Sequence, residues 1–440
     1  MGTIKEKLIL KVVLPIADKA YHTNISHWYD KVSDMISWSP EQIKIWQNAN
    51  LQSLIKDAYD YTPYYHDLFT EYKIKPSDIN TADDLSIIPP LTKQIILDRF
   101  DDLVSRKKGI HYKMKSTGGS TGNPTRYIKD NNSWGFDNAF NIAMWKDTGY
   151  KYGDLFLALG SSSIFPTNEK NTIHSLYYKL KGKIPFNAMN MSDERLYECS
   201  RLLIKQNIHY IYGYASSIYL LSKYIEDNGL QSQVNIKACF PTSEILTDTY
   251  RNTIERVFSC IVSDMYGAHD GGIVAHNIGN GFKVGYNCIV RTDNMESNCE
   301  AQLTDVLSSS FPFINYKLGD ILEIDDGYND FYNGQVLKNV VGRTSDIIML
   351  ENGRKLTGPG FTILFSKVKI LGYRLYKSGE MELTVCIVKD KGYDENDENL
   401  IINTLHKHCG EDCNIVLKYC DHIETRANGK NLFFLNRFEQ

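Results

Sequence analysis

The sequence predicts an α/β protein with a large N-terminal α/β domain, part of it β-rich, and a small C-terminal α+β domain. At 440 residues the chain exceeds the length at which one hydrophobic core keeps growing, so more than one domain is expected. Between residues 155 and 267, short apolar runs alternate with helix-like segments, which is typical of parallel strands joined by crossover helices. After Gly281 the runs shorten and are broken by Gly, Asn and Asp, which indicates antiparallel β-structure.

The composition is that of a packed globular protein, with 42% hydrophobic and 23% charged residues. A net charge of -4 without a long block of like charge gives no reason to expect a nucleic-acid partner. No apolar run approaches the ~18 residues of a membrane span, and no small-residue cleavage site follows the amphipathic stretch Leu8 to Ile16. The nine cysteines all follow residue 198 and form no disulfide framework. We therefore expect a cytoplasmic protein without a transmembrane segment, with peripheral contact to the inner membrane left open.

Residues 1–110 are predicted to form a helical lead-in. Ser39 and Pro40 are helix-start signals, and the apolar residues that follow recur at i, i+3, i+4 and i+7, which predicts a helix to about residue 61. Pro63 ends this helix, and a second helical stretch begins near Thr92.

Apolar runs predict the parallel strands. They are LFLALG, NAMNM, HYIYGY, NIKACF and CIVSDMYG. The segments between them carry helix signals: Ser192 and two following acids open one helix, Gly229 closes another, and Thr247 opens a third.

The C-terminal part predicts a separate small unit. After the antiparallel runs FKVGYNCIV and ILEI, the segment from about Val368 contains the strand MELTVCIVKD, a helix around residues 400–408 and a strand around residues 415–419. Glycines and a proline cluster between Arg343 and Gly360, which is typical of a linker. We therefore divide the chain into domains of residues 1–345 and 346–440.

The string STGGSTGNP, residues 116–124, has the composition of a phosphate-binding loop. Its glycines let the backbone approach an anion closely, and its N–H groups and hydroxyls can cradle phosphate oxygens. It is not a Walker loop, because Asn123 stands where the lysine should be, and the G-x-G-x-x-G spacing of a dinucleotide fingerprint is absent. Taken alone, such a string is more often a polar surface linker. The nucleotide-binding residues predicted in it are Ser116, Thr117, Gly118, Gly119, Ser120, Thr121 and Gly122.

Two further motifs precede this loop, Thr62-Pro63-Tyr64-Tyr65 and then IPPLTK at residues 88–93. Together with the loop they resemble the adenylate-forming superfamily, in its phenylacetate-coenzyme A ligase-like branch, which includes proteins of capsular polysaccharide clusters. The resemblance extends over nearly the whole chain. It implies a mobile C-terminal domain, ATP and Mg²⁺ as cofactors, and a carboxylic acid substrate that is activated as an acyl-adenylate.

The family's aromatic-glycine-x-x-glutamate motif is matched by Tyr266-Gly267-Ala268-His269-Asp270. The resemblance implies that Tyr266 and Gly267 contact the nucleotide and that Asp270 holds the Mg²⁺ that bridges the ATP phosphates. Asp270 stands where the family has glutamate, and either carboxylate suits a hard cation. His269 replaces the usual hydroxyl residue, and it either faces the substrate or packs internally.

Three more strings resemble nucleotide contacts of the family. In NYKLGD, Asp320 corresponds to the acid that accepts hydrogen bonds from both ribose hydroxyls, although a lone Gly-Asp after a strand is more often a turn. In GRTSD, the resemblance implies that Arg343 contacts the ribose or a phosphate and that Asp346 is the hinge of the small domain. In PTSE, Ser243 and Glu244 occupy the place of the adenine contact.

Near the C-terminus, RANGK at residues 426–430 resembles the family's R-x-x-G-K signature. The resemblance implies that Lys430 is the catalytic lysine, whose ammonium group stabilises the charge developing between the attacking carboxylate and the α-phosphate. A lone Gly-Lys is usually a solvated surface turn. We favour the catalytic role because matching motifs precede this one in family order.

Two other chemistries are weighed and disfavoured. Zinc would need a cluster drawn from His406, His408, Cys409, Cys413, Cys420 and His422. Only Cys409 and Cys413 have the spacing of a ligand pair, and the alternative is that these cysteines behave as small apolar residues. A serine hydrolase is disfavoured because the G-x-S-x-G elbow is absent.

By resemblance, the reaction consumes a carboxylic acid and ATP, and the acyl group then passes to an acceptor. The acceptor is a sugar or an amine in surface-polysaccharide modification, or coenzyme A in an aryl- or acyl-coenzyme A ligase. We favour the first on the fuller likeness to the capsule-cluster members. A non-catalytic nucleotide-binding scaffold is a further alternative, which loss of Lys430 or of the phosphate loop would have supported, and the sequence retains both.

Overall fold

A computed structural model describes most of the chain. The residues it describes are 4–116, 126–160, 179–188, 191, 193–268, 270–277, 279, 281–292, 299–329, 334–343, 347–351, 355–357, 365, 368–423 and 434–435. Within these ranges, no helix is long and apolar enough to cross a membrane.

Helices form the first part of the chain. They are α1 (Ile4–Leu8), a π-helical segment (Ile9–Val13), α2 (Leu14–Tyr21), α3 (Ile25–Met35), α4 (Pro40–Tyr61), α5 (Pro63–Glu71), α6 (Lys93–Asp98) and α7 (Phe100–Leu103). The predicted start of α4 is confirmed, because Ser39 Oγ accepts a hydrogen bond from the Gln42 N–H at 3.2 Å and the Gln42 side chain accepts one from the Ser39 N–H at 2.9 Å. Pro63 ends α4 and opens α5, where its missing N–H removes no helical hydrogen bond.

Strands and crossover helices follow. The helices are α8 (Asn131–Trp145), α9 (Asp193–Gln206), α10 (Ala215–Asp227), α11 (Asp248–Phe258) and α12 (Glu395–Cys409). The strands are β1 (Tyr112–Ser116), β2 (Arg126–Asp130), β3 (Phe156–Gly160), β4 (Lys183–Asn187), β5 (Tyr210–Tyr214), β6 (Ala238–Thr242), β7 (Ile261–Val262), β8 (Met265–Ala268), β9 (Ile273–Asn277), β10 (Phe282–Val284), β11 (Cys288–Thr292), β12 (Cys299–Asp305), β13 (Tyr316–Asn329), β14 (Gly334–Arg343), β15 (Ile347–Met349), β16 (Lys355–Thr357), β17 (Ile370–Gly379), β18 (Glu382–Lys389), β19 (Asn414–Tyr419) and β20 (Phe434–Leu435).

One large sheet positions the site. Among the described residues it has twelve strands, in the order β11-β12-β13-β14-β10-β9-β8-β6-β5-β3-β4 with β7 beside β6. The strands β3 to β6 are parallel, and β9 to β14 pair antiparallel. The two halves meet at β8, which is parallel to β6 and antiparallel to β9. The mixed α/β fold predicted from the alternating pattern is therefore confirmed.

One predicted strand was misplaced. The run NAMNM begins at Asn187, which is the last residue of β4, so the strand is KIPFN and precedes the run. β4 lies at the edge of the sheet and is only partly buried. An edge strand tolerates Pro185 and needs no continuous apolar run, so hydrophobicity is a poor guide to its position.

A second sheet, β19-β18-β17-β20, forms the core of the C-terminal part with α12. Ile348 and Leu350 pack into the same hydrophobic cluster, and β15 and β16 form a short hairpin where a linker was predicted. Cys409 and Cys413 are fully buried in this cluster, as small apolar residues would be. In the described part of the chain, no group of three His, Cys, Asp or Glu side chains could hold a metal ion.

A buried ionic group joins three elements of the large domain. Lys129 Nζ on β2 lies 2.9 Å from Asp137 Oδ2 on α8 and 3.5 Å from Asp305 Oδ2 at the end of β12. Lys129 also donates a hydrogen bond to Ser133 Oγ at 2.7 Å. Burial lowers the pKa of Lys129, but the two carboxylates outweigh it and hold the pKa above its usual value. The lysine is therefore charged, and each member of the group depends on the others for charge compensation.

We expect Lys129→Met to lower the free energy of unfolding by about 3 to 5 kcal/mol, because two carboxylates would stay buried without their cation. Urea unfolding measures the loss. Lys11→Met is the matched control, since Lys11 pairs with Asp30 at 3.0 Å with both side chains mostly exposed, and its loss should cost less than about 1 kcal/mol. Equal effects of the two substitutions would contradict the assignment of a buried charge.

Candidate active site

The end of β6 carries the predicted adenine contact. Ser243 follows β6 with φ +67, in the left-handed region that a residue with a side chain rarely adopts. Glu244 Oε2 accepts a hydrogen bond from the Ser216 N–H at 2.8 Å, at the N-terminus of α10. The Glu244 carboxylate therefore stabilises a helix start. The backbone of this turn lies at the carboxyl end of a parallel strand, where open α/β sheets bind their ligands.

Tyr266 and Asp320 meet across the sheet. The Tyr266 hydroxyl on β8 donates a hydrogen bond to Asp320 Oδ2 at 2.7 Å. Asp320 lies on β13 directly after Gly319, whose φ of +91 favours glycine. In the β13–β14 ladder Asp320 pairs with Arg343. Three residues predicted from separate motifs are thus brought to one place, although Tyr266 precedes Asp320 by 54 positions in the chain.

Asp270 lies in the turn between β8 and β9. Its Oδ2 accepts a hydrogen bond from the Tyr316 hydroxyl on β13 at 3.2 Å. Burial raises the pKa of Tyr127 on β2, the strand that follows the predicted phosphate loop, and the negative charge of Asp270 raises it further. Mg²⁺ binds one or two carboxylates together with phosphates and waters, so this carboxylate fits the predicted ion.

The turn after Asp270 packs against the buried ionic group of Lys129, Asp137 and Asp305. A Cβ added to Gly272, which has φ +70, would collide with the Asp305 carboxylate. Asn287 Nδ2 donates to the Gly272 carbonyl oxygen at 3.2 Å and to Asp137 Oδ1 at 3.2 Å. Sequence reasoning missed these supporting residues, because nothing in the pattern distinguishes Lys129 or Asp305 from surface charges. The one available signal was the Gly-Gly pair directly after Asp270.

Two motifs of the helical region support the segment before Asp320. The Tyr65 hydroxyl donates a hydrogen bond to the Pro312 carbonyl at 2.9 Å. The Asn315 side chain donates to the Ile88 carbonyl at 2.9 Å, and the Lys317 N–H donates to the Leu91 carbonyl at 2.9 Å. The strings around Tyr65 and at residues 88–93 therefore help to hold β13, the strand that supplies Tyr316 and Asp320.

Several predicted residues lie outside the described residues. They are Thr117, Gly118, Gly119, Ser120, Thr121 and Gly122 of the phosphate loop, His269, the hinge Asp346 and the catalytic Lys430. Ser116 is the last residue of β1 and pairs with Arg126, the first residue of β2, so the loop connects the two strands of a hairpin. The roles of these residues stay predictions.

The fold is that of the adenylate-forming coenzyme A ligases. 2-Hydroxyisobutyryl-CoA ligase in its postadenylation state, in complex with 2-HIB-AMP, superposes with a TM-score of 0.70 at 14% identity, over 89% of this chain and 88% of that one. The anthranilate CoA ligase AuaEII in complex with anthranoyl-AMP superposes with a TM-score of 0.52 at 12% identity, over 74% of this chain and 66% of that one. The resemblance to this superfamily is thereby confirmed at the level of the fold.

The sequence comparisons are more particular. Residues 353–437 match the family model of the CapK C-terminal domain. Protein CapK of Staphylococcus aureus is 22% identical over 409 residues, which cover 89% of each chain. The chain is thus similar to Protein CapK in sequence and shares the fold of the adenylate-forming ligases, in agreement with the resemblance drawn from the motifs.

The carboxyl of Asp264, the residue before β8, is expected to make the stability of the folded protein depend on pH. Burial raises its pKa to about 7, against the opposing charge of Arg251. Because the folded protein holds this proton more tightly than the unfolded chain, the resulting stabilisation is complete below about pH 4 and is lost as the pH rises to about 7. We expect Asp264→Asn to gain stability relative to the wild type over that interval and to show no further change above it.

Urea unfolding of wild type and variant at several pH values measures this difference. Asp227→Asn, which replaces an exposed acid on α10, is the control and should change little. If the difference in unfolding free energy between wild type and Asp264→Asn did not change with pH across the interval, the Asp264 carboxyl would have an ordinary pKa.

Proposed function

We propose that the protein is an ATP-dependent ligase that activates a carboxylic acid as an acyl-adenylate and transfers the acyl group to an acceptor. The observation that carries the proposal is the hydrogen bond between Tyr266 and Asp320, with Arg343 opposite Asp320 in the ladder. A buried carboxylate oriented by a phenol is suited to accept hydrogen bonds from ribose hydroxyls. The fold shared with two ligases solved with acyl-AMP ligands supports the same reading.

The described residues take distinct roles in nucleotide binding. Asp320 accepts hydrogen bonds from the ribose, Tyr266 fixes the orientation of that carboxylate, and Gly267 contacts the nucleotide through its backbone. The adenine ring lies against the turn at Ser243. Because the Glu244 carboxylate already accepts from the Ser216 N–H, we assign the adenine contact to the backbone of this turn and not to that side chain.

The chemistry has two halves. A carboxylate oxygen of the substrate attacks the α-phosphorus of ATP, the bond to the β-phosphate oxygen breaks, and pyrophosphate leaves. The acceptor nucleophile then attacks the acyl carbonyl, loses its proton, and AMP leaves. Asp270 would hold a Mg²⁺ ion, which would supply positive charge to the phosphates; the loop at residues 116–124 would bind the phosphates, and Lys430 would stabilise the charge that develops at the α-phosphate.

We place the hinge between the half-reactions at Asp346, with residues 1–345 forming the large domain and residues 346–440 the moving one. Rotation would exchange the residues that face the acyl-adenylate and keep water from the reactive anhydride.

The acceptor is proposed to be a sugar hydroxyl or an amine of a capsular or extracellular polysaccharide, and the enzyme is proposed to act in the cytoplasm or at the inner face of the membrane. The similarity to Protein CapK supports this acceptor class. A coenzyme A ligase is the second candidate, favoured by the structural match to 2-hydroxyisobutyryl-CoA ligase with 2-HIB-AMP and CoA in the thioesterification state, with a TM-score of 0.55. Release of AMP dependent on coenzyme A, or on a sugar or amine, separates the two.

Pyrophosphate exchange into ATP tests the first half-reaction. Asp320→Ala should raise the KM for ATP more than it lowers kcat, because ribose contacts are alike in the ground and transition states, and the loss is at most roughly 3 to 6 kcal/mol. Tyr266→Phe should raise the same KM by about fivefold, the effect of one hydrogen bond of about 1 kcal/mol. Asp78→Asn, on an exposed turn, is the control.

Failure of the wild type to bind Mg-ATP in calorimetry would exclude the ligase and the nucleotide scaffold together. Binding of ATP without pyrophosphate exchange, across a panel of carboxylic acids, would favour the scaffold. Unchanged ATP affinity in Asp320→Ala would remove Asp320 from the ribose site.

Lys430→Ala separates the two half-reactions. We expect acyl-AMP formation to fall about 100-fold or more, the scale of one preorganised electrostatic donor, while transfer from supplied acyl-AMP survives. Lys418→Ala, an exposed lysine on β19, is the matched control and should leave both rates unchanged. A Lys430→Ala enzyme that adenylates normally would assign that lysine to the surface.

A further inference from the structure

The N-terminal helical segment, residues 4–21, has an aliphatic outer face. Ile9 and Leu14 pack into the hydrophobic core, so the segment is anchored to the body of the protein. Ile4, Leu8, Val12 and Ile16 are 89%, 56%, 46% and 65% exposed. Exposed aliphatic side chains at regular spacing on one segment are unfavourable in water and mark an interaction surface. We call these four residues the aliphatic stripe.

The π-helical segment keeps the stripe on one side. Its members are four residues apart, which overshoots an α-helical turn by about 40° at each step. Along a regular α-helix the stripe would therefore wind around the axis. The wider turn of residues 9–13, with i to i+5 bonding, rotates the chain less per residue and counteracts this drift. The stripe extends for about 18 Å at 1.5 Å per residue.

The exposed charged side chains of the segment itself are all lysines. Lys5, Lys7, Lys11 and Lys19 are exposed, whereas the acidic residues of the segment, Glu6 and Asp18, are buried. The Lys5 ammonium donates a hydrogen bond to the Gly153 carbonyl at 2.5 Å, so Lys7, Lys11 and Lys19 supply most of the outward charge. Asp18 is engaged by Thr23 Oγ1 at 2.7 Å and by the Ile25 N–H at 3.0 Å, so it does not face outward. Lys11 pairs with the exposed Asp30 at 3.0 Å and still keeps most of its side chain in solvent. The outer face is thus cationic and aliphatic in a chain whose net charge is -4.

We propose that this face docks on the surface of an anionic phospholipid bilayer, with the aliphatic stripe inserted between the headgroups and the lysines against the lipid phosphates. Protein interfaces are enriched in aromatic residues and Arg and depleted in Lys, the reverse of this face. Interfacial membrane helices combine an apolar face with flanking lysines, whose long stems reach the headgroups. The surface is independent of the ligase chemistry proposed above.

Vesicle flotation of the full chain tests the proposal. The wild type should float with vesicles of phosphatidylcholine mixed with phosphatidylglycerol, much less with phosphatidylcholine alone, and less as salt is raised. The double variants Leu8→Gln/Val12→Gln and Lys7→Gln/Lys19→Gln should each lower the partition coefficient about 10-fold or more. Ile45→Gln/Lys56→Gln, which makes the same two kinds of change on exposed positions of α4, should float as the wild type does.

Circular dichroism melting checks that each variant is folded, and pyrophosphate exchange in solution should be unchanged in all of them. Absence of flotation of the wild type with anionic vesicles, or flotation that both N-terminal double variants retain, overturns the proposal. So does a wild type that self-associates in sedimentation, does not float, and becomes monomeric in Leu8→Gln/Val12→Gln, because the stripe would then join two copies of the chain.

Discussion

The charge compensation between Lys129, Asp137 and Asp305 is the constraint on which the site depends. A lysine and two carboxylates removed from water are tolerable only while they stay together, so β2, α8 and the end of β12 are fixed relative to one another. β2 follows the proposed phosphate loop, and the Asp305 carboxylate lies against Gly272. One buried interaction therefore fixes the relative positions of two parts of the proposed nucleotide site, β2 and the turn after Asp270, that lie far apart in the sequence.

The change from parallel to antiparallel strand pairing at β8 positions the other residues of the site. Parallel strands on one side present their carboxyl ends, and with them the turn at Ser243, to a common edge. The antiparallel strands on the other side of β8 bring β13 close to the β8–β9 region. Tyr316 on β13 contacts Asp270 there, and Asp320 on β13 contacts Tyr266. Both contacts join β13 to the β8–β9 region. Asp270, proposed to hold the metal, and Asp320, proposed to bind the ribose, are therefore positioned by the same strands.

The helical region supports the site on one side and carries the aliphatic stripe on the other. Its inner side holds the segment before Asp320 through Tyr65 and the carbonyl groups of Ile88 and Leu91. Its outer side carries the aliphatic stripe and the exposed lysines. The stripe and the residues that hold the site therefore belong to different elements.

The sequence by itself determined the kind of fold and most of the elements. Periodicity, caps and turn residues act locally, so α4, the strand runs and the C-terminal α+β pattern could be predicted, and the ordered motifs indicated Tyr266, Asp270, Asp320 and Arg343. Only the tertiary structure decided which side chains meet. The Tyr266–Asp320 contact spans 54 positions and the Lys129–Asp305 contact 176, and contacts at such separations leave no local pattern. Burial likewise turned Lys129 into a structural charge, because desolvation is a property of the folded surroundings and not of the residue.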